Sequence, residues 1–230
     1  MVGTRAVFFD VDFTLIHPGP RFQGVGYQEM CARHGVAVDA ARFEAAVAAA
    51  SGLLDSSEQL YDAAIFVNYT NRIIELMGGA GPGVDAASQE LYDEWAQHHH
   101  FSLYEDVSAA LRRLHADGHR LGLISNSHRC LVSFQSHFEL DGLIAVAVSS
   151  SAHGYLKPHP SIFRAALELM QVRPDAAVMV GDSLAHDVDG ARQVGMSGVL
   201  LDRGGRVAAP PAGVPVIRSL DELPDLLSRG

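Results

Sequence analysis

Several features that define whole classes of proteins are missing from this sequence of 230 residues. Its two cysteines, Cys31 and Cys130, are too few and too far apart for a disulfide framework or a zinc site, so we expect two buried free thiols. No apolar run approaches the ~20 residues that a membrane-spanning helix needs. The first strand follows directly after Arg5, which leaves no room for a signal peptide, so we expect a cytoplasmic protein with no membrane partner.

Basic residues are scarce as well. The sequence has 17 Lys and Arg against 27 Asp and Glu, which gives a net charge of −10. A surface that binds nucleic acid needs clustered Lys and Arg, so nucleic acid is not an expected partner. A small phosphorylated substrate is compatible with this balance, because a metal ion and one lysine can invert the local field. The hydrophobic content of 48% is enough for the core of one or two domains.

Two aspartates, Asp10 and Asp12, follow the first apolar run. We interpret residues 6–15 as a buried strand, on which acidic residues at this spacing point to the same side. They then form a paired carboxylate site at the C-terminal end of a strand, where α/β sheets bind ligands. A polar strand end followed by a turn is the alternative, and the D-x-D-x-T pattern alone does not decide between them.

Three further segments place polar groups where a strand or loop leads into a helix. They are the apolar strand at 121–127 that ends in Ser125-Asn126-Ser127, the loop that contains Lys157-Pro158, and the apolar strand from Val178 that ends in Asp182, with Asp187 further on. If these strands are parallel neighbours of the first, all of the polar groups converge at one edge of the sheet.

The pattern of apolar residues along the chain changes near Phe22 and again near His100. Between these points apolar residues recur at spacings of three and four, which indicates an inserted helical bundle. After His100 strands and helices alternate, which predicts a parallel sheet with helices on both faces. The predicted elements are helices at 107–116 (ended by Gly118), 130–138, 161–170 and 187–194, strands at 144–148, 198–201 and 214–217, and a capping box at 219–222.

Together and in this order, the four motifs resemble those of the haloacid dehalogenase-like hydrolase superfamily, of the phosphatase type with a helical cap after the first motif. The resemblance implies a Rossmann-like core formed by residues 1–16 and 103–230, with a helical cap domain at 17–102. The sequence departs from the family pattern at Phe13, where glycine is common. This departure concerns the mouth of the site and not the nucleophile.

The resemblance also implies roles for the acidic residues. Asp10 would attack phosphorus to give an aspartyl phosphate, and splitting hydrolysis in this way is the general benefit of covalent catalysis. Asp12 would protonate the leaving alkoxide and then activate water. A Mg²⁺ ion would be bound by Asp10, by the backbone carbonyl of Asp12 and by Asp182, since hard oxygen ligands suit this ion.

The remaining motif residues would hold the substrate or support the site. By the same resemblance, Ser125 and the backbone N–H of Asn126 bind phosphoryl oxygens, Lys157 offsets their charge, and Thr14 is a supporting residue. Asp187 would steady Lys157 or a metal-bound water. The alternative for Asp187 is an acid in the first turn of a helix, where the helix dipole favours it.

We therefore expect a Mg²⁺-dependent phosphatase, monomeric or homodimeric, that acts on a small phosphorylated metabolite. A phosphomutase is the nearest rival. Haloacid dehalogenation fits less well, because a halide leaving group needs no proton and Asp12 would lack its purpose. A non-catalytic phosphate-binding scaffold is the third possibility, although the complete set of motifs argues against it.

Some conspicuous residues have an ordinary interpretation beside a functional one. For His98–His100 we favour a hinge or solvated helix end over a metal site, because adjacent helical residues do not face one point. The glycine-rich stretch 78–83 is favoured as a helix connector, since no strand precedes it. His128 and Arg129 could reach a substrate or lie in a solvated helical turn. The candidates for substrate selection are His17, Arg21 and Tyr27.

Overall fold

A six-stranded parallel sheet forms the core of the protein. The structure is a computed structural model that describes residues 5–54, 59–207 and 212–228. Every residue of the first strand is apolar and buried, as expected for a central strand covered on both faces. The strands are β1 (Ala6–Phe9), β2 (Ile16–Pro18), β3 (Phe101–Leu103), β4 (Arg120–Ser125), β5 (Ile144–Ser149), β6 (Ala177–Gly181), β7 (Ser197–Leu201) and β8 (Val216–Ile217).

The order of strands in the sheet is β5-β4-β1-β6-β7-β8, and the paired strands run parallel. Strand β1 lies in the middle, with Phe9 opposite Leu123 of β4 and opposite Val180 of β6. The prediction that the motif-bearing strands are parallel neighbours is therefore confirmed. Since the chain runs from β1 to opposite sides of the sheet, the C-terminal end of β1 is the switch point at which such sheets bind ligands.

Helices cover both faces of this sheet. On one face Phe8 and Ile124 pack with Phe163 and Met170 in a single buried cluster. Gly118, with φ of 89°, follows the helix Val107–Ala116 and has the left-handed backbone conformation that glycine adopts without cost. The helices after residue 103 are α5 (Val107–Ala116), α6 (Leu131–His137), α7 (Ser150–His153), α8 (Pro160–Met170), α9 (Gly190–Gln193) and α10 (Leu223–Ser228).

The chain divides into two compact units, one made of the residues up to His17 and from Leu103 onward, the other of Pro18–Ser102. The prediction placed His17 in the helical unit, so the first predicted boundary lies one residue before the observed one, while the second, between residues 102 and 103, is the same. Strands β2 and β3 lie at the two crossing points and pair with each other. The second unit contains the helices α1 (Gly24–Arg33), α2 (Phe43–Ala50), α3 (Ala63–Leu76) and α4 (Val84–Trp95).

Side-chain caps and aromatic packing explain the helical unit. Asp62 caps α3 by accepting a hydrogen bond of 2.9 Å from the backbone N–H of Ala64. Phe22 packs against Trp95, with 4.6 Å between the ring centroids. The glycine-rich stretch 78–83 joins α3 to α4 as a connector. Among the described residues, no helix is both long and apolar enough to span a bilayer.

Several local predictions were wrong. Strand β1 ends at Phe9, so the predicted strand 6–15 is mostly a loop. The predicted helix 187–194 begins earlier, because a π-helix at Leu184–Asp189 precedes α9. Cys31 is buried as expected, but Cys130 is exposed because it lies at the N-cap of α6. The capping box at Ser219 and Glu222 is present, and the strand before it is limited to β8.

Candidate active site

The loop after β1 holds the first two acidic residues. The backbone N–H of Asp10 donates to the carbonyl of Val180 at 2.9 Å, which fixes it beside β6. The N–H groups of Leu15 and Ile16 both donate hydrogen bonds to the carbonyl of Val11, so the chain makes a tight turn directly after Asp10. Asp12 therefore lies in a turn and not on a strand, and the argument from strand alternation does not apply to it.

Lys157 lies between two carboxylates. Its Nζ donates to Oδ1 of Asp10 and to Oδ1 of Asp187, both at 2.6 Å. All three residues are buried, and Lys157 is the only lysine in the sequence. A charged triad taken out of water is stable only when its members are paired and hydrogen-bonded, as they are here.

Asn126 ties the end of β4 to the lysine loop. Its side-chain oxygen accepts from the N–H of Lys157 at 2.7 Å, and its side-chain nitrogen donates to the carbonyl of Lys157 at 3.0 Å. Ser125 is fully buried, and its hydroxyl donates to that of Ser127 at 3.0 Å. The asparagine side chain thus positions Lys157, while its backbone N–H stays the group we predict to bind phosphate.

The third acidic motif follows β6 without a gap. Gly181 is required here, because a Cβ at this position would clash with the carboxylate of Asp187. That carboxylate is fixed further by the N–H of Ser183, which donates to its Oδ2 at 3.0 Å. The π-helix brings Asp187 back towards the end of β6, and π-helical turns are frequent at functional sites.

Carboxylate oxygens of Asp10, Asp182 and Asp187 lie within 4.8 Å of one another. When all three are ionised they exceed the charge of Lys157 by two, which is the charge that a divalent cation neutralises. The donors are hard oxygens, the ligand type that Mg²⁺ prefers. Asp10, Asp182 and Asp187 therefore fit a Mg²⁺ ion, and the sequence-based assignment had placed Asp187 only beside it.

The excess of negative charge is visible in the pKa values. Burial, opposed by Lys157 and reinforced by Asp187 and Asp182, raises the pKa of Asp10 well above its usual range. Burial and Asp187 raise the pKa of Asp182 to about 6. Burial alone would lower the pKa of Lys157, but Asp10 and Asp187 outweigh it and raise the pKa above the usual value of a lysine. The lysine is thus held as a cation.

Asp12 has a separate cationic partner. Nη2 of Arg129 donates to its Oδ1 at 2.9 Å, and the arginine is only 1% exposed. Neither interpretation of Arg129 from the sequence, as a substrate contact or a solvated turn, includes this ion pair. A single sequence carries no signal for it, since the two residues are more than a hundred positions apart.

Thr14 is buried, and another arginine holds its backbone. Nη2 of Arg203 donates to the carbonyl of Thr14 at 2.9 Å and to Oδ1 of Asp106 at 2.9 Å. The guanidinium also lies 3.8 Å from the ring centre of Tyr104. Arg203 and Asp106, which the sequence analysis did not single out, thus support the loop that carries Asp10 and Asp12.

The candidates for substrate selection make local contacts within their own units. His17 packs against Tyr104 with 5.0 Å between ring centroids. In the helical unit, Arg21 forms an ion pair with Glu94 at 3.7 Å, and Tyr27 is buried. His98–His100 forms a short 3₁₀ turn directly before β3, which agrees with a connecting role.

Phe13 has a left-handed backbone, with φ of 65°, and its side chain is 46% exposed. An L-residue pays roughly 1–2 kcal/mol for this conformation and glycine does not, which explains the glycine of the family pattern. We expect Phe13→Gly to alter KM and the ranking of substrates more than the hydrolysis of a small activated ester. Phe13→Ala is the matched control, because it removes the ring and keeps the strained backbone.

The two variants at Phe13 should share the altered substrate ranking and differ in stability. The free energy of unfolding of Phe13→Gly should exceed that of Phe13→Ala by about 0.5–1 kcal/mol, because the relief of the left-handed strain is partly offset by the larger conformational freedom that glycine loses on folding. Urea unfolding and steady-state kinetics on large and small phosphate esters measure the two effects. A uniform loss of rate on every substrate would mean that the ring supports the catalytic loop instead.

Comparison with solved structures supports the fold. The crystal structure of an HAD phosphatase from Thermococcus onnurineus shares 27% identity, with a TM-score of 0.68 over 97% of this chain and 98% of that one. The HAD-hydrolase YfnB from Bacillus subtilis shares the fold at 16% identity, with a TM-score of 0.76 over 98% and 99% of the two chains.

Curated relatives match over part of their length. A glyceraldehyde 3-phosphate phosphatase from Pyrococcus furiosus is 35% identical over 45% of each chain. Haloacid dehalogenase-like hydrolase domain-containing protein 3 from Bos taurus is 33% identical over 50% of this chain and 45% of its own. The chain spans about half the length of the curated relatives that it matches. The family model for haloacid dehalogenase-like hydrolases matches residues 4–195, and the chain belongs to this family of hydrolases.

Proposed function

We propose that the protein is a Mg²⁺-dependent phosphatase that hydrolyses a small phosphorylated metabolite through an aspartyl phosphate on Asp10. The observation that carries this proposal is the buried cluster in which Lys157 contacts Asp10 and Asp187 beside Asp182. Phosphatases and pyrophosphatases among the relatives, such as pyrophosphatase PpaX from Bacillus cereus, which is 33% identical over 45% of this chain and 50% of its own, support phosphoryl chemistry. The predicted partners and cytoplasmic location are part of the same proposal.

The reaction divides into two displacements. In the first, a carboxylate oxygen of Asp10 attacks phosphorus, the P–O ester bond breaks, and Asp12 gives its proton to the leaving alkoxide. In the second, Asp12 takes a proton from water, the water oxygen attacks phosphorus, and inorganic phosphate leaves Asp10. Each step returns Asp12 to the protonation state that the next one needs.

The other residues bind and orient the phosphoryl group. Ser125 and the backbone N–H of Asn126 are proposed to hold its non-bridging oxygens, and Lys157 offsets their charge. A Mg²⁺ ion held by Asp10 and Asp182, with the backbone carbonyl of Asp12, would neutralise the charge that builds up during transfer. Asp187 keeps Lys157 in place, and its carboxylate also lies near enough to Asp10 and Asp182 to contact the same ion.

The direct test is a panel of phosphorylated metabolites, each assayed with Mg²⁺ and with EDTA. We expect phosphate release from at least one monoester that depends on the metal. The Asp10→Asn variant, purified in parallel, controls for contaminating phosphatases. Halide release from 2-haloacids, or phosphoryl return to the substrate in place of release, would instead support the dehalogenase or the phosphomutase.

A second test separates the acid–base residue from a metal ligand. Asp12→Asn should cost roughly 10²–10⁴-fold in rate at unchanged Mg²⁺ affinity, because only the backbone carbonyl of Asp12 is proposed to bind the ion. Asp182→Asn should weaken Mg²⁺ binding instead. Rates titrated against Mg²⁺ for both variants measure this, and equal shifts in metal dependence would count against the assignment.

A further inference from the structure

Arg129 is a buried cation to which the proposed mechanism gives no role. It is the largest fully buried side chain among the described residues, and its side-chain exposure is 0%. A buried guanidinium is costly unless a fixed anion compensates it. That anion is Asp12. Its side chain is 17% exposed, so part of the carboxyl group reaches solvent while Oδ1 contacts the buried arginine.

The backbone holds the two partners independently of each other. Arg129 lies between the end of β4 and the start of α6, in the segment that also contains Asn126. Asp12 lies in the tight turn after β1, which is closed by the N–H of Phe13 donating to the carbonyl of Ile16 at 2.8 Å. Because β1 and β4 are paired neighbours, both segments leave the same edge of the sheet.

We propose that Arg129 is a positioning residue that fixes the carboxyl group of Asp12 for proton transfer to the leaving group. This inference rests on the proposed phosphatase function. Oδ1 accepts a hydrogen bond from the guanidinium, so the orientation of the whole carboxyl group is set by a side chain that is itself fully buried. An error of about 1 Å in such a group can cost 10²-fold in rate.

The planar guanidinium is suited to this task in a way that lysine is not. The contact to Asp12 comes from Nη2, and the planar guanidinium holds this donor in a fixed direction, whereas the lysine ammonium is a point charge on a flexible stem. Arg129→Lys therefore keeps the charge and loses the orientation, and Arg129→Gln loses both. The two variants separate electrostatics from positioning.

The leaving group provides the readout. An aryl phosphate has a stable leaving anion and needs little protonation, while an alkyl phosphate needs the proton of Asp12. We expect kcat/KM of Arg129→Gln to fall by roughly tenfold to 100-fold more on the alkyl ester than on the aryl ester. Arg129→Lys should show the same selectivity with a smaller loss.

Arg203→Gln is the matched control. It removes another arginine that contacts the same loop, at the carbonyl of Thr14, and so tests general loosening of the loop. This variant should lose activity to the same degree on both esters. Equal losses on the two esters for Arg129→Gln as well would overturn the proposal.

A double-mutant cycle with Asp12→Asn tests the route of action. In that background Arg129→Gln should cause little further loss, because the group that it positions is already disabled. A full additional loss would overturn the proposal. Inactivity of the wild-type protein on every phosphate ester would contradict the phosphatase itself, and is thereby distinct from a failure of the arginine.

A readout without activity completes the test. A crystal structure of Arg129→Lys should show the Asp12 side chain turned away from its wild-type rotamer. An unchanged rotamer would overturn the proposal, and so would unfolding of both variants in thermal melts, since Arg129 would then serve the fold and not Asp12.

Discussion

Asp10→Asn is expected to lower the rate of phosphate release by roughly 10³-fold or more, without loss of the fold. The amide is nearly the same size as the carboxylate but cannot attack phosphorus. Rates are measured at saturating substrate and Mg²⁺, with Asp189→Asn as the matched control, because Asp189 is exposed and lies outside the cluster. Hydrolysis retained at more than a few per cent would remove the covalent mechanism.

The stability of this variant should not fall. Burial and the nearby carboxylates of Asp187 and Asp182 raise the pKa of Asp10, which means that the fold disfavours its ionised form. Asparagine removes that charge, and Lys157 keeps its contact with Asp187 at 2.6 Å. A melting temperature equal to or above that of the wild type would show that the loss of activity is chemical.

Lys157→Met is expected to damage both activity and stability. Its removal leaves Asp10 and Asp187 without their shared cation, and breaking a buried ion pair in this way costs about 3–5 kcal/mol. Urea unfolding in the absence of Mg²⁺ measures the loss of stability. Activity should fall with it, because no other lysine exists to offset the charge of the phosphoryl group.

A double variant separates the two losses. Lys157→Met with Asp187→Asn removes one of the carboxylates that the lysine compensates, so part of the stability should return. The activity should stay low, since the cation is still missing. A double variant as unstable as Lys157→Met alone would indicate that the lysine stabilises the fold through its packing and not through its charge.

The sequence predicted those parts of the site that depend on local pattern. Apolar runs that end in Asp10, Ser125 and Asp182 identify three strand ends, and the parallel topology brings such ends to one edge. The order of the motifs then suggested the family, which the family model confirms. Helix ends with a strong signal, such as Gly118, were also predictable, because left-handed backbone favours glycine.

The contacts that arise between distant segments were not predictable. The pairing of Arg129 with Asp12 depends on how two loops meet, and nothing in the sequence links the one residue to the other. The exposure of Cys130 follows from its position just before α6, where a shift of one residue decides the environment. The early end of β1 reflects a tight turn whose hydrogen bonds return to Val11, and apolar patterning does not reveal such a turn.

The single lysine gives this protein an unusual chemical property. Lys157 holds the only side-chain amine in the sequence, and that amine is buried between two carboxylates. Amine-acylating reagents, which normally label many lysines on a protein surface, therefore find one side-chain amine here, and they reach it only when the buried cluster around Lys157 opens locally. The rate at which peptides containing Lys157 gain the label, followed by mass spectrometry, therefore measures how often the buried cluster around Lys157 opens. A ligand that stabilises this cluster should lower the labelling rate.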